Sequence, residues 1–114
     1  MDFKFSTDED TECLLEITIW CLEKYFGHDS TSALTSINNY YERNKKQVSD
    51  DFYHYEGSFH IAARVQYSEV LKLGRDRGDN FVNWLRDLGY YQVPHEALTY
   101  FRKHYLDRER ENYS

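Results

Sequence analysis

The chain has few cysteines and no long apolar segment. Its 114 residues include two cysteines, Cys13 and Cys21, both within one predicted helix. At 1.5 Å per residue they lie about 12 Å apart along that helix, too far to form a disulfide. Without a second cysteine pair, and with no charged-then-apolar leader at the N-terminus, we expect a reduced, cytoplasmic protein. Because the apolar runs are only a few residues long, the sequence predicts no membrane span.

Signatures of catalysis and of cofactor binding are also missing. The five histidines form neither a His-Glu-x-x-His helix nor a Cys/His zinc pattern of the usual spacing. No Gly-x-Ser-x-Gly elbow occurs, and the stretch from Gly74 to Gly78 has too few glycines to form a phosphate-binding loop. We therefore expect no metal, no cofactor and no enzymatic activity.

What is present is helical periodicity over most of the chain. Apolar residues recur every three to four positions between capping residues, and no hairpin turn separates alternating apolar residues. The predicted helices run from Ser6 or Thr7 to Gly27, from Asp29 or Ser30 to Lys46, from Ser49 or Asp50 to Leu73, from Asp79 to Gly89, and from Pro94 onward. The sequence predicts an all-α fold, with one compact domain over residues 1–114, about five helices and a frayed tail at 107–114.

The third predicted helix contains a glycine. Gly57 is expected either to divide this helix or to permit a close approach of the backbone. If the periodicity continues across the glycine, one apolar stripe results, made of Phe52, Tyr55, Phe59, Ala62, Ala63, Val70 and Leu73.

Negative charge is concentrated in the first half of the chain. The formal charge is −6, and residues 1–57 carry twelve acids against five bases. This balance argues against direct binding to nucleic acid or to an anionic membrane, and it favours a basic partner. The acids Asp8, Glu9, Asp10 and Glu12 are candidate steering charges. The other interpretation is that they offset the dipole of the first helix.

Aromatic residues suggest where such a partner binds. Four aromatic rings, one histidine and three carboxylates occupy the eleven residues 49–59. Tyrosines are also adjacent at Tyr40-Tyr41 and Tyr90-Tyr91. Adjacent residues on a helix lie about 100° apart, so at least one member of each pair is expected to point outward. Exposed tyrosines beside carboxylates are typical of protein-binding surfaces, although tyrosines also cover small helical cores. The predicted partner contacts are Asp50, Asp51, Tyr53, Tyr55 and Glu56.

The segment Asp50–Phe59, followed by Ile61-Ala62-Ala63-Arg64-Val65, in a small, acidic, helical chain resembles the immunity proteins of bacterial polymorphic-toxin and contact-dependent growth-inhibition systems. The resemblance implies a protein that binds one cognate toxin domain, often a basic nuclease. It implies that binding blocks the toxin's active site or its access to the target. Such a protein catalyses nothing itself.

Two other functions are consistent with the sequence. In a homo-oligomeric or other protein-interaction module, the paired tyrosines would be buried against a second copy or another protein. In a small hydrolase or transferase, His54, Glu56 and His60 would act together in a cleft. Glu56 and His60 are four residues apart and would share a face if the helix is continuous, a spacing that also suits an ordinary charge pair.

Overall fold

The computed structural model describes residues 3–5 and 7–107, and within these ranges the fold is all-α. No strand occurs in the described part of the chain, so the predicted all-α class is confirmed. The helices are α1 (Glu9–Phe26), α2 (Ser30–Asn44), α3 (Asp51–Glu56), α4 (Ser58–Val65), α5 (Asp79–Asp87) and α6 (His95–Phe101). Helices α4 and α6 each continue into a short π-helical segment, Gln66–Val70 and Arg102–Leu106. Most of the predicted tail, from residue 108 on, lies outside the described residues.

The N-cap of the central helix α1 lies one residue after Thr7, the later of the two predicted caps. Asp8 is the N-cap, and its Oδ1 accepts a hydrogen bond from the Thr11 N–H at 2.7 Å. The prediction of Thr7 as the cap was therefore wrong, while Ser6 lies outside the described residues. An aspartate in this position satisfies a free N–H of the first turn and also carries charge that favours the positive end of the helix dipole. The predicted end is confirmed, since Gly27 adopts a left-handed conformation with φ 74°.

The core forms around α1. Both α2 and α4 pack along it, and α3 and α6 contact it at other points. The residues of the main core that are at most 2% exposed come from α1, α2, α3 and α4: Leu15, Ile19, Cys21, Leu22, Ala33, Ile37, Tyr53, Ile61, Ala62 and Val65. A smaller cluster, formed by Ala63, Tyr67, Phe81 and Leu85, attaches α5 to this body. None of the helices in residues 3–5 and 7–107 is both long and apolar enough to span a bilayer.

The predicted third helix is broken at Gly57. This residue has φ 88° and ψ 151°, so α3 ends at Glu56 and α4 begins at Ser58. Of the two roles expected for Gly57, division of the helix is the one observed, while the predicted extension to Leu73 is wrong. The π-helical segment ends at Val70, and Leu73 lies 52% exposed in the following loop.

The break also changes which aromatic residue of α3 faces the core. Tyr53 is 2% exposed and Tyr55 is 96% exposed. The predicted apolar stripe, which placed Tyr55 beside Phe59, was therefore wrong at this position. Because the chain turns at Gly57, the 3.6-residue period of α4 does not continue the period of α3.

Candidate functional site

Two side-chain hydrogen bonds join the start of α1 to α3. The Thr7 hydroxyl donates to Asp50 Oδ2 at 2.7 Å, and Thr11 Oγ1 lies 2.8 Å from His54 Nε2. Each pair is separated by 43 residues in the sequence. The acidic segment that begins α1 and the aromatic segment of α3 are therefore neighbours in the fold.

Four exposed residues on the two joined segments, Asp8 and Asp10 at the start of α1 and Asp51 and Tyr55 of α3, are called the acidic face; the exposed His54 lies between Asp51 and Tyr55 in sequence. Asp51 and Tyr55 are four residues apart, so they lie on the same side of α3. The face combines three carboxylates with one tyrosine ring that has almost no contact with the rest of the protein.

The other two predicted steering acids have a different orientation. Thr11 points towards α3, and at about 100° per residue Glu9 lies nearly opposite it on α1. Glu9 and Glu12 instead line a shallow depression together with Glu16 and Cys13. The acids that the sequence groups into one segment are thus divided between the acidic face and this depression.

Three of the predicted contact residues have roles inside the fold. Tyr53 belongs to the core, where its ring stacks on Tyr41 with centroids 5.6 Å apart. Its prediction as a partner contact is therefore corrected, because a ring that is 2% exposed has no surface to offer. Asp50 is half-buried and also accepts a hydrogen bond from the Tyr41 hydroxyl at 2.8 Å.

Glu56 is held by an arginine of α4. Arg64 Nε and Nη2 lie 3.0 Å and 2.9 Å from Glu56 Oε1. The same guanidinium donates through Nη1 to the carbonyl oxygen of Asp76 and lies over the Phe81 ring, 4.6 Å from its centroid. Asp76, which is 7% exposed, also accepts a hydrogen bond from the Tyr40 hydroxyl. Glu56 and Asp50 therefore fix the position of α3 on the body of the protein.

Hydrogen bonding and burial set the protonation of these groups. The Thr11 N–H, followed by the Thr11 hydroxyl, lowers the pKa of Asp8. Burial, with the hydrogen bond to Asp50 as a second cause, raises the pKa of Tyr41 to about 12. At neutral pH the acidic face thus carries an ionised Asp8, while the Tyr41 phenol beneath it stays neutral and donates to Asp50.

Of the residues of the hydrolase hypothesis, Glu56 and His60 line the same cavity, whereas His54 is bonded to another part of the structure. His54 bonds to Thr11 of α1, whereas Glu56 bonds to Arg64 of α4. His60 lines an apolar cavity together with Glu56. In the described ranges no three His, Cys, Asp or Glu side chains are grouped in a way that could hold a metal ion.

Sequence reasoning missed the residues that assemble this site, namely Thr7, Thr11, Arg64 and Asp76. No local pattern could have revealed them, since each acts through a partner at least eight residues away.

Comparison with known proteins finds no relative: no family model, no curated protein and no solved structure matches the chain. The geometry of the acidic face is therefore the basis on which a function is argued.

Proposed function

We propose that this protein is an inhibitor of the immunity type, which binds a basic protein toxin through the acidic face and neutralises it. One observation supports the proposal most directly: two side-chain hydrogen bonds bring the start of α1, with its exposed acids, next to α3, which carries the exposed Tyr55, although the two segments are distant in sequence. The resemblance of the sequence to immunity proteins supports the identity of the partner as a toxin domain.

The chemistry of the acidic face suits a basic protein surface. Asp8, Asp10 and Asp51 would attract a positively charged partner over distances of about 10 Å and raise the association rate. Tyr55 would supply the buried contact, because tyrosine offers a large apolar ring with a hydroxyl and loses little side-chain entropy. A ring that is 96% exposed in the free protein can gain all of its contacts on binding.

Short helices are often mobile, but α3 is held at both ends. Asp50, which precedes the first turn of α3, is bonded to Thr7 and Tyr41, and Glu56, the last residue of α3, is bonded to Arg64. A surface that is already ordered loses less entropy on association than a flexible one. The arrangement therefore holds the backbone that carries Tyr55 and Asp51 in one position.

The first experiment identifies the partner and then measures its affinity. The immobilised protein is exposed to lysate of its source cell, and a retained basic protein is purified for calorimetry at low and moderate salt. We expect Tyr55→Ala to weaken binding by at least about tenfold and Asp51→Lys to weaken it by a comparable factor. The matched controls are Tyr91→Ala and Asp87→Lys, which change exposed residues outside the acidic face and should shift affinity by less than about twofold.

Neutralisation is tested in cells. Expression of the captured protein alone should arrest growth, and co-expression of this chain should restore it, while co-expression of the Tyr55→Ala variant should restore it less. Equal affinity for all four variants would show that the acidic face is not the binding surface. If no basic protein is retained and the mass in solution rises with concentration, the protein is a homo-oligomer and the proposal is wrong.

A further inference from the structure

A cavity of about 200 Å³ opens beside the end of α3, away from the residues of the acidic face. Three parts of the fold enclose it: α1, the junction between α3 and α4, and α6 with the residue preceding Pro94. Most of its wall is apolar and comes from Ile17, Cys21, Phe59, Val93, Ala97, Leu98 and Phe101. Three of these, Ile17, Cys21 and Ala97, are at most 3% exposed, so the cavity reaches the core.

The volume fits one small ring system. Apolar cavities of about 150 Å³ in proteins stay dry and bind benzene, so about 200 Å³ can hold a ring compound of roughly nine heavy atoms. Burial in such a wall removes most of the apolar surface of the ligand from water. Gly57 also lines the cavity and contributes no side chain to it.

Three polar residues, Glu56, Ser58 and His60, distinguish this wall from a purely apolar void, and the Ser58 hydroxyl already donates to the Leu14 carbonyl oxygen. Glu56 at the end of α3 and His60 in the first turn of α4 line the cavity from the two sides of the break at Gly57. Both contacts between Glu56 and Arg64 fall on Oε1. The second carboxylate oxygen, Oε2, therefore stays available as an acceptor for an N–H or O–H donor.

We propose that this cavity is a binding site for a free small molecule consisting of one aromatic ring system with an N–H or O–H donor, a class represented by indole. The ring lies against Cys21, Phe59 and Ala97, and the donor faces Glu56. This inference does not depend on the proposed function, because none of the residues of the acidic face lines the cavity.

The test uses the isolated full-length chain and indole, followed through backbone amide signals in two-dimensional NMR. We expect saturable shifts centred on Gly57, His60 and Ala97, with a dissociation constant on the order of 1 mM or tighter. 1-Methylindole has the same ring but no N–H donor, and it should bind at least about threefold more weakly. A thermal shift with the same two compounds provides a second readout.

A matched pair of variants locates the site. Leu98 lines the cavity and is 46% exposed, whereas Leu88 is 47% exposed and lies elsewhere. Leu98→Ala should weaken indole binding by at least about threefold, and Leu88→Ala should leave it unchanged. Ala97→Leu, which fills the cavity, should abolish binding. Absence of saturable shifts up to about 5 mM indole, or equal weakening by both leucine variants, would overturn the proposal.

Discussion

At the scale of single residues, Tyr40 and Tyr53 are both buried, but only one of the two hydroxyl groups has a hydrogen-bond partner. Tyr40 and Tyr53 are 3% and 2% exposed. The Tyr40 hydroxyl donates to Asp76 Oδ2 at 2.5 Å, whereas the Tyr53 hydroxyl has no hydrogen-bond partner among the described residues. A buried hydroxyl stabilises the fold when it is bonded to a carboxylate and destabilises it when it is left without a partner.

The same substitution should therefore have different effects at the two positions. We expect Tyr40→Phe to lower the free energy of unfolding by about 1.5–3 kcal/mol, because it removes a bond to a charged acceptor. Tyr53→Phe should leave the free energy unchanged or raise it by up to about 1 kcal/mol, since it removes only an unsatisfied group. Urea unfolding at pH 7, followed by circular dichroism, measures both values. Equal losses would show that the Tyr53 hydroxyl has a partner in solution.

At the scale of elements, the junction between α3 and α4 depends on one backbone conformation. Gly57 has φ 88° and ψ 151°, whereas Gly27 at the end of α1 has φ 74° and ψ 18°. Both have open space at the Cβ position, so a substitution there meets no neighbouring atom. Asparagine tolerates the left-handed conformation of Gly27, but the region occupied by Gly57 is accessible almost only to glycine.

This difference predicts the outcome of one substitution at two sites. Gly57→Asn should lower the free energy of unfolding by about 2–3 kcal/mol, and Gly27→Asn by less than about 1 kcal/mol. Chemical denaturation of the two variants beside the natural chain provides the comparison. If both variants lose the same free energy, the junction has another conformation in solution than the one described.

The elements also show how far the sequence could predict this fold. Asp29, Gly27 and Gly57 mark helix boundaries through local backbone chemistry, and each was recognised from its neighbours alone. No glycine or capping side chain marks the end of the π-helical segment that follows Val65, so the predicted helix was wrongly extended to Leu73.

For the acidic face, the sequence predicted which segment is exposed but not which tyrosine of that segment points outward. Composition indicated an acidic, aromatic surface, and Asp51 and Tyr55 do lie there. The choice between Tyr53 and Tyr55 depends on the phase of α3, a helix of six residues that is too short to define an apolar stripe. That phase is set by tertiary contacts, including the stacking of Tyr53 on Tyr41.

At the scale of the whole molecule, buried neutral acids make the fold sensitive to alkali. Burial raises the pKa of Cys21 from 9.0 to about 12, and burial with a hydrogen bond to Asp50 raises that of Tyr41 to about 12. Burial also raises the pKa values of Tyr40 and Tyr53. All four groups release their protons more readily in the unfolded chain than in the folded one, so loss of these protons favours unfolding.

We therefore expect stability to be unaffected by these groups between neutral pH and about pH 9. It should fall progressively as the pH rises from there towards about 12, with each fully buried group contributing a slope of about 1.4 kcal/mol per pH unit. Urea unfolding at a series of pH values measures this slope, and absorbance near 295 nm reports ionisation of the phenols. The buried phenols should ionise together with the loss of the helical signal.

The Tyr53→Phe variant removes one of these buried groups and should make the slope shallower by about 1.4 kcal/mol per pH unit. A free energy of unfolding that stays constant to about pH 11 would contradict the burial of these groups, because their protons could then leave without unfolding.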